Sequence, residues 1–276
     1  MFKDTGISHT KNFISDDIKD SLNEEIDELS KNYLINGLTR ASTWINHNLC
    51  YINDPIVNFN SVNLLEIIFK AHQELVKVNL NNYTLSFIRV FIEKKNSAPN
   101  AKIHTDNKPG IIRVLIYLKG GDKDNGNLNY IKGTHNSVYK QTIHKNGSAF
   151  VNPDELDLED KITSMDTKEG DLILFDINGL HSKNPVKKER RVIYLEFHDG
   201  KSDNKMGKVI LDNSKFTKNI MKNLDFLLSN NNTSHKDYEN IKYQHHLPPQ
   251  TPLRIFNYYF KIFCKLIVNR IKGKIK

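Results

Sequence analysis

Between Asn82 and His198 the chain offers short runs of β-branched and aromatic residues separated by Gly, Asn and Asp turns, with no helical stretch between them. Tyr83 to Glu93, Ile111 to Leu118, Asn127 to Lys132, Leu172 to Asp176 and Arg190 to His198 each read as a strand. Parallel strands need long crossovers, usually helices, so an α/β sheet does not fit this stretch. The pattern predicts a mainly β fold with a double-stranded β-helix core, the jelly-roll or cupin-like barrel. In such a barrel the two halves of the strand set face each other, so residues far apart in sequence meet at one mouth.

Helices are expected on either side of this core. Ser15-Asp16-Asp17 can cap a helix with Ile18, Leu22, Ile26 and Leu29 on one stripe, ending near Gly37. A mixed apolar patch follows (Trp44, Ile45, Leu49, Tyr51, Ile52), broken by Asn53-Asp54-Pro55. A second helix from Ser61 to Lys77 turns Leu64, Leu65, Ile68, Leu75 and Val76 inward and leaves His72 at a surface or boundary position. Neither His9 nor His47 has a carboxylate at ligand spacing. The organisation read from this is a domain over 1–200, with N-terminal helices at 1–81 and barrel core at 82–200, and a helical extension over 201–276.

That extension carries Phe216, Ile220, Leu224, Phe226, Leu227 and Leu228 on one helix and a polar linker from Ser229 to Asn240. Its last segment, Leu253 to Ile275, has a broad apolar face and a basic edge. Residues 252–276 hold seven basic side chains and no acid, which leaves only +1 of the formal +8 for the rest of the chain. The basic character thus belongs to a tail and speaks against a nucleic-acid groove across the core. Two accounts of the tail stand: peripheral contact with an anionic membrane surface, or packing against the body or a dimer partner. With 38% apolar and 26% charged residues and only Cys50 and Cys264, the expectation is a soluble, reduced, cytoplasmic protein, with peripheral placement at the inner face of the membrane as the variant. A thiolate-based metal site does not fit two cysteines.

Chemistry concentrates in His104-Thr105-Asp106. Residues two apart on an extended segment point the same way, so imidazole and carboxylate can meet at one point. His181, arriving from a distant strand, would complete two imidazoles and one carboxylate, a set that holds iron(II) and leaves positions open. Arg89, inside a predicted strand, reads as an outward-facing residue, with a role toward an anionic ligand as the other reading.

His104-Thr105-Asp106, the run Asn125-Gly126-Asn127-Leu128-Asn129-Tyr130-Ile131-Lys132-Gly133-Thr134-His135, Gly170 to Asp176 ahead of His181, and Arg190-Arg191 resemble a known pattern. The stretch from Tyr83 to His198 is similar to the non-haem iron(II), 2-oxoglutarate-dependent dioxygenases, specifically their phytanoyl-CoA dioxygenase-like branch. Lys132 stands where that branch has Pro, and Thr134 where it has Ser. The resemblance implies that His104, Asp106 and His181 are iron ligands and that one arginine pairs with the far carboxylate of 2-oxoglutarate. Family usage favours Arg190. Hydrophobic alternation favours Arg191, whose face would include Ile193, Leu195 and Phe197. Thr134 and Tyr117 are further candidates for contact with 2-oxoglutarate, and Asn107 for the pocket mouth. His135 is implied to be structural or to orient a ligand, and His144 to be solvated.

The activity implied is hydroxylation of an unactivated C–H bond in a small or lipid- or carrier-linked metabolite, using O2, releasing succinate and CO2, with ascorbate as a supporting reductant. The other function class is a non-catalytic cupin-like binding or scaffold protein.

Overall fold

In the computed structural model, which describes residues 1–36, 39–41, 49–53, 62–95, 102–123, 125–143, 149–152, 158, 161–199 and 264, the chain opens with α1 (Phe2–Thr5) and β1 (Ile7–Thr10). There follow α2 (Asp16–Asn36), β2 (Thr39–Ala41), β3 (Leu49–Asn53), a helix α3 (Val62–Lys77), and the long strand β4 (Thr84–Glu93). Among the described residues up to 199, the strands β5 (Ile111–Lys119), β6 (Leu128–Ile131), β7 (Thr142–Ile143), β8 (Ala149–Phe150), β9 (Ile162–Ser164), β10 (Leu172–Asp176), β11 (His181–Lys183) and β12 (Arg190–His198) follow. A 3-10 turn at Thr134–Asn136 lies between β6 and β7.

The larger sheet has the order β1-β10-β5-β12-β4-β3-β2, and the smaller one β11-β6-β9. His104 extends the smaller sheet by an isolated antiparallel bridge to His181. From β4 onward the chain passes from the larger sheet to the smaller and back three times, at His104, at β6 to β9 and at β11, which is the winding of a double-stranded β-helix. Antiparallel pairing throughout allows the connections to be turns.

Across β10, β5, β12 and β4 the larger sheet is buried on both faces, and this decides where side chains go. One face, with Ile88, Val90, Ile112, Val114, Ile116, Leu172, Leu174, Ile193, Leu195 and Phe197, packs under Leu22 and Ile26 of α2 and Leu64, Ile67, Ile68 and Leu75 of α3. The other face, with Ile111, Leu115, Tyr117, Ile173, Phe175 and Val192, meets Leu128 and Tyr130 of the smaller sheet and forms the barrel interior. Each such fully buried aliphatic side chain is worth about 1.5–3 kcal/mol, so the helical layer is part of the core and not a cover added to it.

Several expectations are corrected. The polar N-terminus contains β1, which pairs with β10, because backbone hydrogen bonding needs no apolar pattern of its own. His9 does find a carboxylate: its Nε2 lies 2.8 Å from Asp171 Oδ2, a partner 162 residues away. His72 is buried, not a boundary residue, its ring 6.1 Å from that of Phe197. Arg89 is opposite Tyr194 in the β4–β12 register and so shares the inner face, with its guanidinium 5.5 Å from the Phe91 ring. His47, His144 and the helices expected at 216–228 and 253–275 lie outside the described residues. Among the described residues no helix is long and apolar enough to cross a membrane.

Candidate metal centre

His104 and His181 face one another because their backbones form a matched pair: each N–H donates to the other's carbonyl at 2.9 Å. Directly opposed residues of an antiparallel pair project to the same side, and the two ring centroids are 4.4 Å apart. Asp106 follows by two positions, its backbone N–H held by the Ile177 carbonyl at 3.1 Å. The ligand-type atoms of His104, Asp106 and His181 all lie within 4.8 Å of one another. Among the described residues they are the group of His, Cys, Asp or Glu side chains arranged to hold a metal ion.

The donor chemistry fits such an ion. His104 Nδ1 lies 2.8 Å from the Lys102 carbonyl, and His181 Nδ1 lies 2.8 Å from the Gly179 carbonyl. A carbonyl only accepts, so each Nδ1 carries a proton, and in the neutral ring this turns the lone pair of Nε2 toward the site, the tautomer a metal-bound imidazole needs. His181 is buried, and burial, helped by His104 beside it, pushes its pKa down to about 3. Its imidazole is therefore held in the neutral form. For Asp106 burial acts upward, but Arg113, then His181 and His104, outweigh it and hold the carboxyl below its usual range.

The arginine question has a structural answer. Arg191 points to the helical side, with Nη2 2.7 Å from Asp27, Nε 2.8 Å from Glu189 and Nη1 3.1 Å from the Asn23 carbonyl. Arg190 points into the barrel, its guanidinium 5.4 Å from the centre of the Tyr117 ring. The alternation argument for Arg191 fails because both faces of β12 are apolar, the outer one being covered by helices. Arg190 pairs through Nη1 with Glu93 Oε2, while Lys183 takes Glu93 Oε1. Two cations and one anion thus share a buried corner. Arg190 Nε and Tyr117 Oη are buried there beside one another, the hydroxyl also near Thr167, and neither atom makes a hydrogen bond of good geometry. Gly126 makes room for this corner, since a Cβ on it would stand 2.5 Å from Arg190 Cδ.

The remaining candidates separate. Thr134 donates to the Ile131 carbonyl at 2.6 Å and accepts from the Leu180 N–H at 2.8 Å, so its hydroxyl is committed to the segment leading into His181. His135 turns away from the triad, with Nε2 3.1 Å from the Lys3 carbonyl and its ring closing over Gly6. Asn107 is exposed beside the triad and adopts a positive φ of 50°.

Arg113, Glu196, Glu93 and Lys183 were not singled out from the sequence. Arg113 does leave a trace there: it is the one charged residue between Ile111 and Leu118, a strand otherwise apolar enough to be buried on both faces.

No protein-family model matches the sequence, and no curated protein matches it either. Solved structures do match. The epimerase SnoN, in complex with Fe3+, alpha ketoglutarate and nogalamycin RO, aligns with a TM-score of 0.55 at 14% identity, over 72% of this chain and 80% of its own. EvdO2 from Micromonospora carbonacea var. aurantiaca, complexed with 2-oxoglutarate, gives 0.54 at 13% identity over 71% and 87%. EctD from S. alaskensis, with 2-oxoglutarate and 5-hydroxyectoine, gives 0.53 at 15% identity over 71% and 73%. At these identities the likeness is one of architecture: this chain has the jelly-roll fold seen in those 2-oxoglutarate-bound structures.

Proposed function

We propose that the protein is an iron(II)- and 2-oxoglutarate-dependent oxygenase of the phytanoyl-CoA dioxygenase-like kind that hydroxylates an unactivated C–H bond of a small or carrier-linked metabolite. The observation that carries this is the convergence of His104, Asp106 and His181 at the barrel mouth, with both Nε2 atoms free to coordinate. When bound, iron and 2-oxoglutarate supply the oxidation: one O2 converts the oxo-acid to succinate and CO2 and a C–H bond to C–OH.

The chain's own residues position and enclose these partners. The paired backbones at 104 and 181 hold the imidazoles to one spacing, and the Gly179 and Lys102 carbonyls fix their tautomers. Glu93 orients Arg190 through Nη1, which leaves its Nε edge and the Tyr117 hydroxyl to receive a carboxylate. With Lys183 included the corner carries one net positive charge, suited to a single carboxylate. Ile111, Leu115, Phe175 and Val192 line the barrel and exclude water.

The deciding experiment is incubation of purified protein with iron(II), ascorbate and 2-oxoglutarate. Succinate is expected to form even without substrate and to stop on adding a chelator. A protein that takes up iron but never binds 2-oxoglutarate would reject the co-substrate claim. Because similar structures include a carbocyclase and an epimerase, analysis of the oxidised product separates hydroxylation from other C–H oxidations.

The two arginines predict different effects. Arg190→Gln is expected to weaken 2-oxoglutarate binding by about 10- to 150-fold, the loss of a charge-assisted hydrogen bond to a carboxylate. Arg191→Gln should leave it within about twofold, because its donors are spent on α2 and Glu189. Calorimetric titration of 2-oxoglutarate into each variant checks this, and equal effects at both positions would undo the assignment.

A further inference from the structure

Arg113, on β5, is a buried cation that the proposed chemistry does not use. Its Nη2 lies 2.8 Å from Asp106 Oδ2 and 2.5 Å from Glu196 Oε1, and its Nε lies 3.0 Å from the same Glu196 oxygen. The guanidinium is also held by its faces, 4.6 Å from the Tyr194 ring centre and 5.9 Å from that of Phe175. Phe175 in turn stands edge-on to the His181 ring at 5.3 Å. One aromatic side chain therefore sets the position of both the arginine and a proposed ligand.

A purely structural arginine would be satisfied by Glu196, which takes two of its donors and balances its charge. The contact to Asp106 is additional. It occupies Oδ2, while Oδ1 faces the imidazoles, 3.6 Å from His104 Nε2. The side chain of Asp106 is 22% exposed and extends from a loop, so little besides Arg113 stops its carboxylate from rotating.

We propose that Arg113 is a positioning residue for the metal centre: it holds Asp106 Oδ2 so that the carboxylate offers one oxygen, Oδ1, beside the two histidines. The inference rests on the metal-centre reading above. A planar fork anchored by Glu196 and packed against two rings performs this task. A lysine, a point charge on a flexible stem, does so less well.

Cobalt(II) titration of the full chain tests it without any turnover. Arg113→Met is expected to weaken cobalt binding by about 10- to 100-fold, the usual cost of removing a group that orients a ligand. It should also alter the visible cobalt band, since the freed carboxylate can bind through both oxygens. Arg113→Lys should restore part of the affinity, and Glu196→Gln, which keeps the Arg113–Asp106 contact, should change it least. In an Asp106→Ala background, Arg113→Met should cost nothing further, because its route of action is gone. If Arg113→Met alone fails to fold, Arg113→Met with Glu196→Gln removes both charges of the buried pair and gives the same comparison.

Wild-type affinity and spectrum in the Arg113→Met protein would overturn the proposal. So would an equal loss with and without Asp106. Failure of the wild-type chain to bind cobalt at all would instead overturn the metal centre, and this inference with it.

Discussion

His181→Ala is expected to lower affinity for iron(II) or cobalt(II) by more than about 100-fold, the upper end of what loss of an outer orienting group costs. His181 is the most enclosed of the three candidate side chains, at 5% exposure, and burial keeps its ring neutral. A neutral ring can accept a metal without first losing a proton. The substitution also strands the Gly179 carbonyl, which accepts from the ring at 2.8 Å, and an unpaired buried acceptor costs about 1–3 kcal/mol. His181→Gln keeps an amide donor in that place and serves as the folding control. Metal titration with thermal unfolding on both variants separates the effects. Retention of wild-type metal affinity in a folded His181→Ala protein would remove His181 from the ligand set.

Glu93→Gln is expected to destabilise the fold by about 3–5 kcal/mol, the cost of leaving buried charge uncompensated. Glu93 stands between Arg190 and Lys183, with side-chain exposures of 3%, 6% and 20%. Burial pushes its pKa up, but Arg190 and Lys183 together more than reverse this and leave it depressed below the ordinary 4.5. The sign follows. A carboxyl with a lowered folded-state pKa contributes its full stability above the unfolded value and loses it as pH falls through the folded one. The difference between wild type and Glu93→Gln should therefore be constant at neutral pH and shrink below about pH 4.5. Urea unfolding across that range measures it. A variant as stable as wild type at pH 7 would show that Arg190 and Lys183 can shed their charge or reach solvent.

The strands of the barrel are legible in the sequence because their signal is local. Ile111 to Leu118 and Leu172 to Asp176 are β-branched and apolar enough to be buried on both faces, and turn residues bound them. The start of α2 is legible for a similar reason, through Ser15 and the acids that follow it. The short strands β1, β2 and β3 are not, since their place depends on the edge each finds and not on their own pattern.

The two halves of the site divide in the same way. His104 and Asp106 could be paired from the sequence, because a spacing of two on extended backbone fixes a common side. That His181 closes on them is a property of the fold, made by one backbone bridge across 77 residues. Which of two adjacent arginines enters the barrel was also a tertiary decision. Val192 and Tyr194 on one face and Ile193 and Leu195 on the other are equally apolar, and only the helices packed over the second face mark it as the outside. Arg113 is the sharpest case: its identity and strand were plain in the sequence, but a buried charge takes its meaning from its partners, and Asp106 and Glu196 reach it from opposite sides of the chain order. Local backbone preference is written residue by residue, whereas the company a side chain keeps exists only once the sheets have closed.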